Sequence, residues 1–356
     1  MAGDTRSDAR GDVGPRLLRY LRAELRRPDL DLAEPVTPLS GGFDTSIFAF
    51  RLSGAVPALA GPLILRVLAS HHDPRRALRE RATQNAVASM GFPAPRVPLA
   101  SADATILGGA FLVMERRPGQ PLLAARPLDI ARLLVETQLQ LHALDPDVLL
   151  GALEREGPGT GALVTLDGHL GQIEKRIHRR TLDGLRPAMR WLQDNRPAGG
   201  GTRAICHGDF HPQNLLLEGG TVTAVLDWPN VLVADPAYDV ATTRVILGCA
   251  PLELLPIRPL RRWLMRAGLR LLLARYLGGY RRQRPLDPAG LAYYEALACM
   301  RGLVRTAESR TAAAGEGGPP NPVNPLDASS FGDRLAARFA GLTGIAPALP
   351  AVGGRP

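Results

Sequence analysis

The chain has 356 residues, of which 45% are apolar and 22% charged, a globular composition that excludes a disordered or fibrous protein and suits two lobes of roughly 100–200 residues each. The formal net charge is +9, yet all but one of the 43 basic residues are Arg, the exception being Lys175. That bias reads as GC-rich coding, and without a compact basic arm carrying interleaved aromatics it argues against a nucleic-acid partner.

Residues 1–12 are polar with no apolar core and read as a disordered leader, not a signal peptide. Leu17, Leu18, Leu21 and Leu25 then recur at helical spacing with Arg between them, predicting an amphipathic helix. A Gly-rich turn at 40–46 separates it from two strands, 47–52 and 63–67. A helix is predicted over 74–90, ended by Gly91 with Pro93 and Pro95 beyond. Residues 106–107 and 110–114 read as a hairpin, after which 115–119 leave the small sheet as a hinge.

Past Pro127 the pattern becomes mainly helical: 128–144, 170–195 and three helices between residues 240 and 309. The segment around Ile205 and the pair 215–217 and 222–226 read as strands. Residues 311–329 are rich in Gly, Pro and Asn and read as a flexible linker, with a short helix over 330–342 in the tail 330–356. The architecture predicted is therefore α+β and bilobal: a sheet-rich N-lobe over 13–117 and a larger helical C-lobe over 118–310. No run of 18 apolar residues occurs, so no membrane partner is expected. Cys206, Cys249 and Cys299 match neither a disulfide framework nor a zinc site and are expected as buried free thiols, in keeping with a cytoplasmic protein.

The densest chemistry lies at 207–239. His207-Gly208-Asp209 is followed five residues later by Asn214 and thirteen residues after that by Asp227, two carboxylates and one amide of the kind that serve a magnesium-bound phosphate. A lone Asp is more often a helix cap or a solvated loop acid; the constellation outweighs that. His207-Gly208-Asp209-Phe210-His211-Pro212-Gln213-Asn214, Leu226-Asp227-Trp228 and Asp235-Pro236-Ala237-Tyr238-Asp239 together resemble the aminoglycoside phosphotransferase family, whose protein-kinase-like fold is shared by choline, homoserine, fructosamine and methylthioribose kinases. The resemblance runs from about residue 36 to 309.

It implies a magnesium-dependent O-phosphotransferase using ATP or GTP. Asp209 would orient the acceptor hydroxyl and take its proton late, Asn214 and Asp227 would hold Mg2+, and His207, Asp235 and Asp239 would give structural support. His211 would face either the phosphates or solvent. In the N-lobe, Ser40, Gly41 and Gly42 would offer amides to phosphate oxygens, a weak signal alone because adjacent glycines usually make an ordinary turn. Kinase-like sites carry a Lys on the third strand paired to a helix Glu; here Arg66 stands in that place with Glu80 fourteen residues on. A guanidinium keeps its charge but is bulkier than an ammonium, so a nucleotide-binding pseudokinase or regulatory protein is the alternative. Backbone groups of Glu115 and Arg116 are expected along the nucleotide base. The adjacent His71 and His72 are not expected to chelate a metal.

The resemblance places the acceptor pocket at about 242–309, where Glu253, Asp287, Glu295 and Glu308 are the only acids. Arg258, Arg262, Arg266 and Arg270 form an i, i+4 stripe there, read first as a solvated helix face opposite Leu264, Leu271 and Leu272. A polycationic aminoglycoside needs carboxylates, since like charges about 4 Å apart repel by roughly 4 kcal/mol at an effective dielectric of 20. The acceptor is therefore expected to be a neutral, weakly charged or anionic small molecule with a hydroxyl, such as a metabolite, a macrolide-like product or an acyl-type compound. An antibiotic-modifying enzyme is the further alternative, and the sequence does not specify the oligomeric state.

Overall fold

The computed structural model describes residues 13–39, 45–197, 202–315 and 329–351. They form two compact units. The first runs to Gln120 and adds Val148–Pro158 and Leu216–Pro229; the second holds Pro121–Asp147, Gly159–Leu215 and the residues from Asn230 on.

The first unit is sheet-rich. Helix α1 (Val13–Glu24) buries Val13, Leu17 and Leu21, the stripe expected of its spacing. The sheet comprises β1 (Asp31–Leu39), β2 (Thr45–Ser53), β3 (Leu63–Leu68), β4 (Leu99–Ser101) and β5 (Phe111–Glu115), ordered β1-β2-β3-β5-β4. All its pairings are antiparallel. Inward-facing Phe48, Phe50, Leu63, Leu65, Phe111 and Val113 share one core with Leu17 and Leu21. Strand β1 went unseen in the sequence because Pro35 and Pro38 interrupt it. A proline cannot donate to a ladder and is tolerated on an edge strand, which is where β1 sits, with its register shifted twice along its length.

Helix α2 (Arg75–Ser89) lies within the predicted 74–90. Residues 106–107, expected as a strand, belong instead to the short helix α3 (Ala104–Leu107), and β4 pairs with β5 in their place. The cause is capping: Asp103 accepts the Thr105 amide at 2.8 Å, and Gly108 closes the turn at φ 84°.

The two distant segments join this unit through their own contacts. Helix Pro146–Glu156, missed in the sequence, brings Glu156 onto Arg81 with oxygens at 2.7 and 2.9 Å. The strands Leu215–Glu218 and Thr221–Val225 turn at Gly219 and Gly220, both with positive φ. The Val225 amide donates to the Pro93 carbonyl at 2.6 Å. Residues 216–229 therefore pack with the first unit, whereas sequence order had grouped them with 118–310.

The second unit is helical. Its long helices are Pro127–His142, Leu166–Arg179, Ala237–Gly248, Pro259–Gln283 and Pro288–Gly315, with one antiparallel strand pair, Ala204–Cys206 and Leu232–Ala234. The predicted 170–195 helix is broken: Thr181 takes φ 52°, and a second helix starts at Arg186 with Pro187 in its first turn. Helix Pro288–Gly315 continues past residue 310, into the stretch expected to be linker.

The tail helix Ser329–Thr343 is docked on this unit. Leu335 and Phe339 are buried, and a Cβ on Gly302 would lie 2.5 Å from the Leu335 side chain. Arg334 pairs with Glu253 at 2.6 Å and Arg338 with Glu295 at 2.5 Å. The three cysteines are free and buried.

Candidate active site

The loop after strand Ala204–Cys206 is built around one buried carboxylate. Asp239, in the first turn of helix Ala237–Gly248, is wholly buried. It accepts the His207 amide at 2.8 Å, the Gly208 amide at 2.6 Å and His142 Nε2 at 3.2 Å. Burial opposes its charge, but the hydrogen bonds it accepts and its histidine neighbours outweigh burial and hold the carboxyl below its ordinary value. His142 is fixed in turn by Tyr280, whose hydroxyl lies 2.6 Å from Nδ1. His142, Cys206 and Asp239 place ligand-type atoms near one another, yet both Asp239 oxygens already accept amides, and burial pushes the Cys206 thiol well up. This cluster braces a loop.

Above that brace the loop carries its chemistry. The Asp209 amide donates to His207 Nδ1 at 3.2 Å, and the Asp209 side chain is 27% exposed. The Asn214 side-chain nitrogen donates to the Asp209 carbonyl at 3.0 Å, so its oxygen is the end not used in that bond. Phe210 is buried, with its carbonyl taking the Thr243 hydroxyl at 2.6 Å. Arg301 donates to the Gly208 carbonyl at 2.8 Å and to the Tyr238 hydroxyl at 2.7 Å. His211 Nε2 lies 3.6 Å from Asp209 Oδ1. Asp235 accepts the Ala237 amide at 2.8 Å, an Asx contact that starts the helix.

Gly208 is required here, at φ 73° with a Cβ position only 2.2 Å from the Asn230 carbonyl oxygen. Gly208→Ala is expected to destabilise the protein by about 2–4 kcal/mol, combining left-handed strain with a backbone clash. Chemical denaturation of both proteins checks this, and a difference below about 1 kcal/mol would mean the loop yields freely.

The first unit assembles a second cluster. Arg66 sits on β3 opposite Ile47 and Leu112. Its guanidinium donates to Glu80 at 3.2 Å and to Asp227 at 2.9 Å. Burial works against the Arg66 charge, but Glu80 and Asp227 outweigh it and raise its pKa. Glu80 is nearly inaccessible and takes a second donor, Arg76, at 3.1 Å. Asp227 has φ 67°, a left-handed conformation that a non-glycine residue holds at a cost of about 1–3 kcal/mol and that clusters at functional sites. The neighbouring Trp228 anchors it: the ring is buried, bonded to the Val225 carbonyl at 2.9 Å and set edge-on to Phe92.

The structure thus gathers Arg66, Glu80 and Asp227 in one unit and Asp209, Asn214, His207 and Asp239 in the other. Asn214 and Asp227 both offer hard oxygen donors, the type that suits magnesium. Ser40, Gly41 and Gly42 lie outside the described residues. Glu115 and Arg116 give their amides to the Arg96 and Pro62 carbonyls, each at 2.9 Å. Those two N–H groups are therefore already engaged. His72 meets Arg76 at 3.3 Å and stacks near His71. Sequence reading missed Arg76, His142 and Arg301, of which only Arg76 carried a signal, its i, i+4 spacing to Glu80; Trp228 was read as part of the 226–228 motif but without a role.

The chain is similar to known proteins in sequence and in fold. The chain is 30% identical over 176 residues to acyl-CoA dehydrogenase family member 11 of Homo sapiens, covering 46% of this chain and 22% of that protein. It therefore spans about a fifth of the length of the curated relatives it matches first. Among solved structures, aminoglycoside phosphotransferase APH(4)-Ia in a ternary complex with ADP and hygromycin B superposes with a TM-score of 0.59 at 18% identity, covering 93% of this chain and 99% of that one. Aminoglycoside-3'-phosphotransferase of type VIII gives 0.51 at 25% identity, with 80% and 98% covered. The fold of both units, sheet-rich then helical, is that of kinase-like phosphotransferases. Residues 35–294 match the model of the phosphotransferase enzyme family, so with most of its length accounted for the chain belongs to that family.

Proposed function

We propose that the protein transfers the terminal phosphate of ATP or GTP to a hydroxyl of a small molecule, with Mg2+ required. The observation that carries this reading is the Asp209 loop: a partly exposed acid on a backbone fixed by Asp239, Arg301 and Thr243. Rigid placement is what the chemistry needs, because phosphoryl transfer depends on positioning and charge compensation more than on covalent catalysis. Asp209 orients the acceptor oxygen, which bonds to the γ-phosphorus as the bond to the departing diphosphate breaks, and the hydroxyl proton passes to Asp209 late. Asn214 and Asp227 hold magnesium, which when bound offsets the phosphate charge. Arg66, kept in place by Glu80, binds phosphate oxygens through its planar fork.

The acceptor is best read as an anionic or acyl-type alcohol. Two observations support this: of the four acids at 242–309, Glu253, Glu295 and Glu308 are already paired with Arg334, Arg338 and Arg176, and the carboxylates an aminoglycoside would need are few there. The curated relatives matched over 174–182 residues are, by name, acyl-CoA dehydrogenase family members. Hygromycin B belongs to the neighbour that binds it.

A second reading, a nucleotide-binding regulator without turnover, is favoured by the 2.9 Å pairing of Arg66 with Asp227, which ties up the acid assigned to the metal. The deciding experiment is an acceptor screen by mass shift, with ATP and GTP supplied separately. Phosphorylated product that vanishes when magnesium is chelated is expected. Thermal stabilisation by magnesium nucleotide with no product from any alcohol, including acyl-type ones, would establish the regulator instead.

A further inference from the structure

Helix Pro259–Gln283 is apolar on two faces, and the second unit covers one. Leu272, Tyr276 and Tyr280 are buried. Opposite them Leu260, Trp263, Leu264 and Leu271 are 68%, 63%, 54% and 54% exposed. Leu264 and Leu271 had been expected on the packed side. The body takes the tyrosine face, and sequence periodicity cannot tell which of two apolar faces is covered. At 3.6 residues per turn the exposed four fall on one stripe about 16 Å long, far more contiguous than singly scattered surface leucines.

Arginines border that stripe, Arg261 on one flank and Arg266 and Arg270 on the other, and the helix contains no acid. Arg266 reaches Glu253 at 3.6 Å, but that carboxylate is already held by Arg334. The surface is thus an apolar ridge between cationic rows. A second copy docked by two-fold symmetry would set these rows against each other, and like charges repel. A nucleic-acid backbone would find leucine at the centre of the contact, where it needs donors.

We propose that this face seats the protein on an anionic lipid bilayer, as an interfacial helix with leucine and tryptophan entering the boundary of headgroups and acyl chains and arginine meeting lipid phosphates. This is a surface contact: among the described residues no helix is long and apolar enough to cross a membrane. It runs against the expectation of no membrane partner and uses the solvated-face reading of the Arg stripe, and its test does not require phosphoryl transfer.

Co-sedimentation of the full chain with vesicles of phosphatidylcholine, alone or mixed with phosphatidylserine, tests it. Binding to the anionic vesicles alone is expected, weakening with salt, with a blue shift of tryptophan emission. Trp228 is fully buried, and Trp263→Ser is expected to remove most of the shift and the binding. Arg261→Ser, Arg266→Ser and Arg270→Ser should each weaken partitioning about fivefold. Circular dichroism verifies that these surface variants fold. No binding to anionic vesicles at low salt, equal binding to neutral ones, or variants that pellet like the parent would overturn the proposal. So would a dimer in light scattering that Trp263→Ser abolishes while vesicle binding is absent.

Discussion

Asp209→Asn is expected to lower kcat by about 10²- to 10⁴-fold, the range typical of losing a positioned proton acceptor, or roughly 3–5 kcal/mol in activation free energy. The fold should survive. The shorter contacts that fix this residue run through its backbone, whose amide donates to His207 and whose carbonyl takes the Asn214 side chain, while its carboxylate meets Asn214 and His211 only at 3.5 and 3.6 Å. An amide of the same shape leaves the backbone contacts intact but presents a poor proton acceptor to the hydroxyl. KM for the nucleotide should change little, because Asp209 is assigned to the acceptor and not to the donor phosphates. The split between kcat and KM separates this role from a structural one, which would lower thermal stability as well. Steady-state kinetics beside thermal melting checks it, using the acceptor found in the screen. A variant with kcat within about threefold of the parent would remove Asp209 from the chemistry.

The chemistry was more legible than the assembly. The stretch 207–214 is local: its backbone turns within eight residues, so order and spacing already place Asp209 and Asn214 on one loop. The strands 47–52 and 63–67 were legible because each is a short, nearly continuous apolar run bounded by glycine, at Gly42 and Gly54 for the first and at Gly61 before the second. What supports the loop was not. Asp239 is held by His142 from 97 residues away, and Arg301 reaches the Gly208 carbonyl from 93 residues away; neither has a local pattern. The same holds for 216–229, whose attachment to the first unit rests on tertiary contacts such as Val225 to Pro93 and Trp228 to Phe92. Strand β1 was hidden by its prolines, and α3 by a cap whose strength lies in side-chain geometry. The departure from Lys to Arg at 66 was visible in the sequence. That its partners are Glu80 and Asp227 together emerged only from the fold.

Asp239→Asn tests the brace itself, and its expected effect on stability exceeds that of Gly208→Ala. The carboxylate accepts two backbone amides and His142 while fully buried. An asparagine must turn its NH2 toward one of those donors, leaving that donor and itself unpaired. Breaking one partner of a buried charged network costs about 3–5 kcal/mol. At about 2–4 °C per kcal/mol for a unit of this size, Tm should fall by roughly 6–20 °C at neutral pH. The pH dependence has a definite sign. The folded carboxyl lies below its ordinary value, so the unfolded chain takes up the proton first as pH falls. The stabilisation is complete above the unfolded value of about 4 and is lost as pH drops through the lower folded value. Parent and variant should therefore differ most at neutral pH and converge in acid. Denaturation curves across that range decide the matter: a gap independent of pH would mean that the lost charge is not the cause, and the loop's rigidity would need another source.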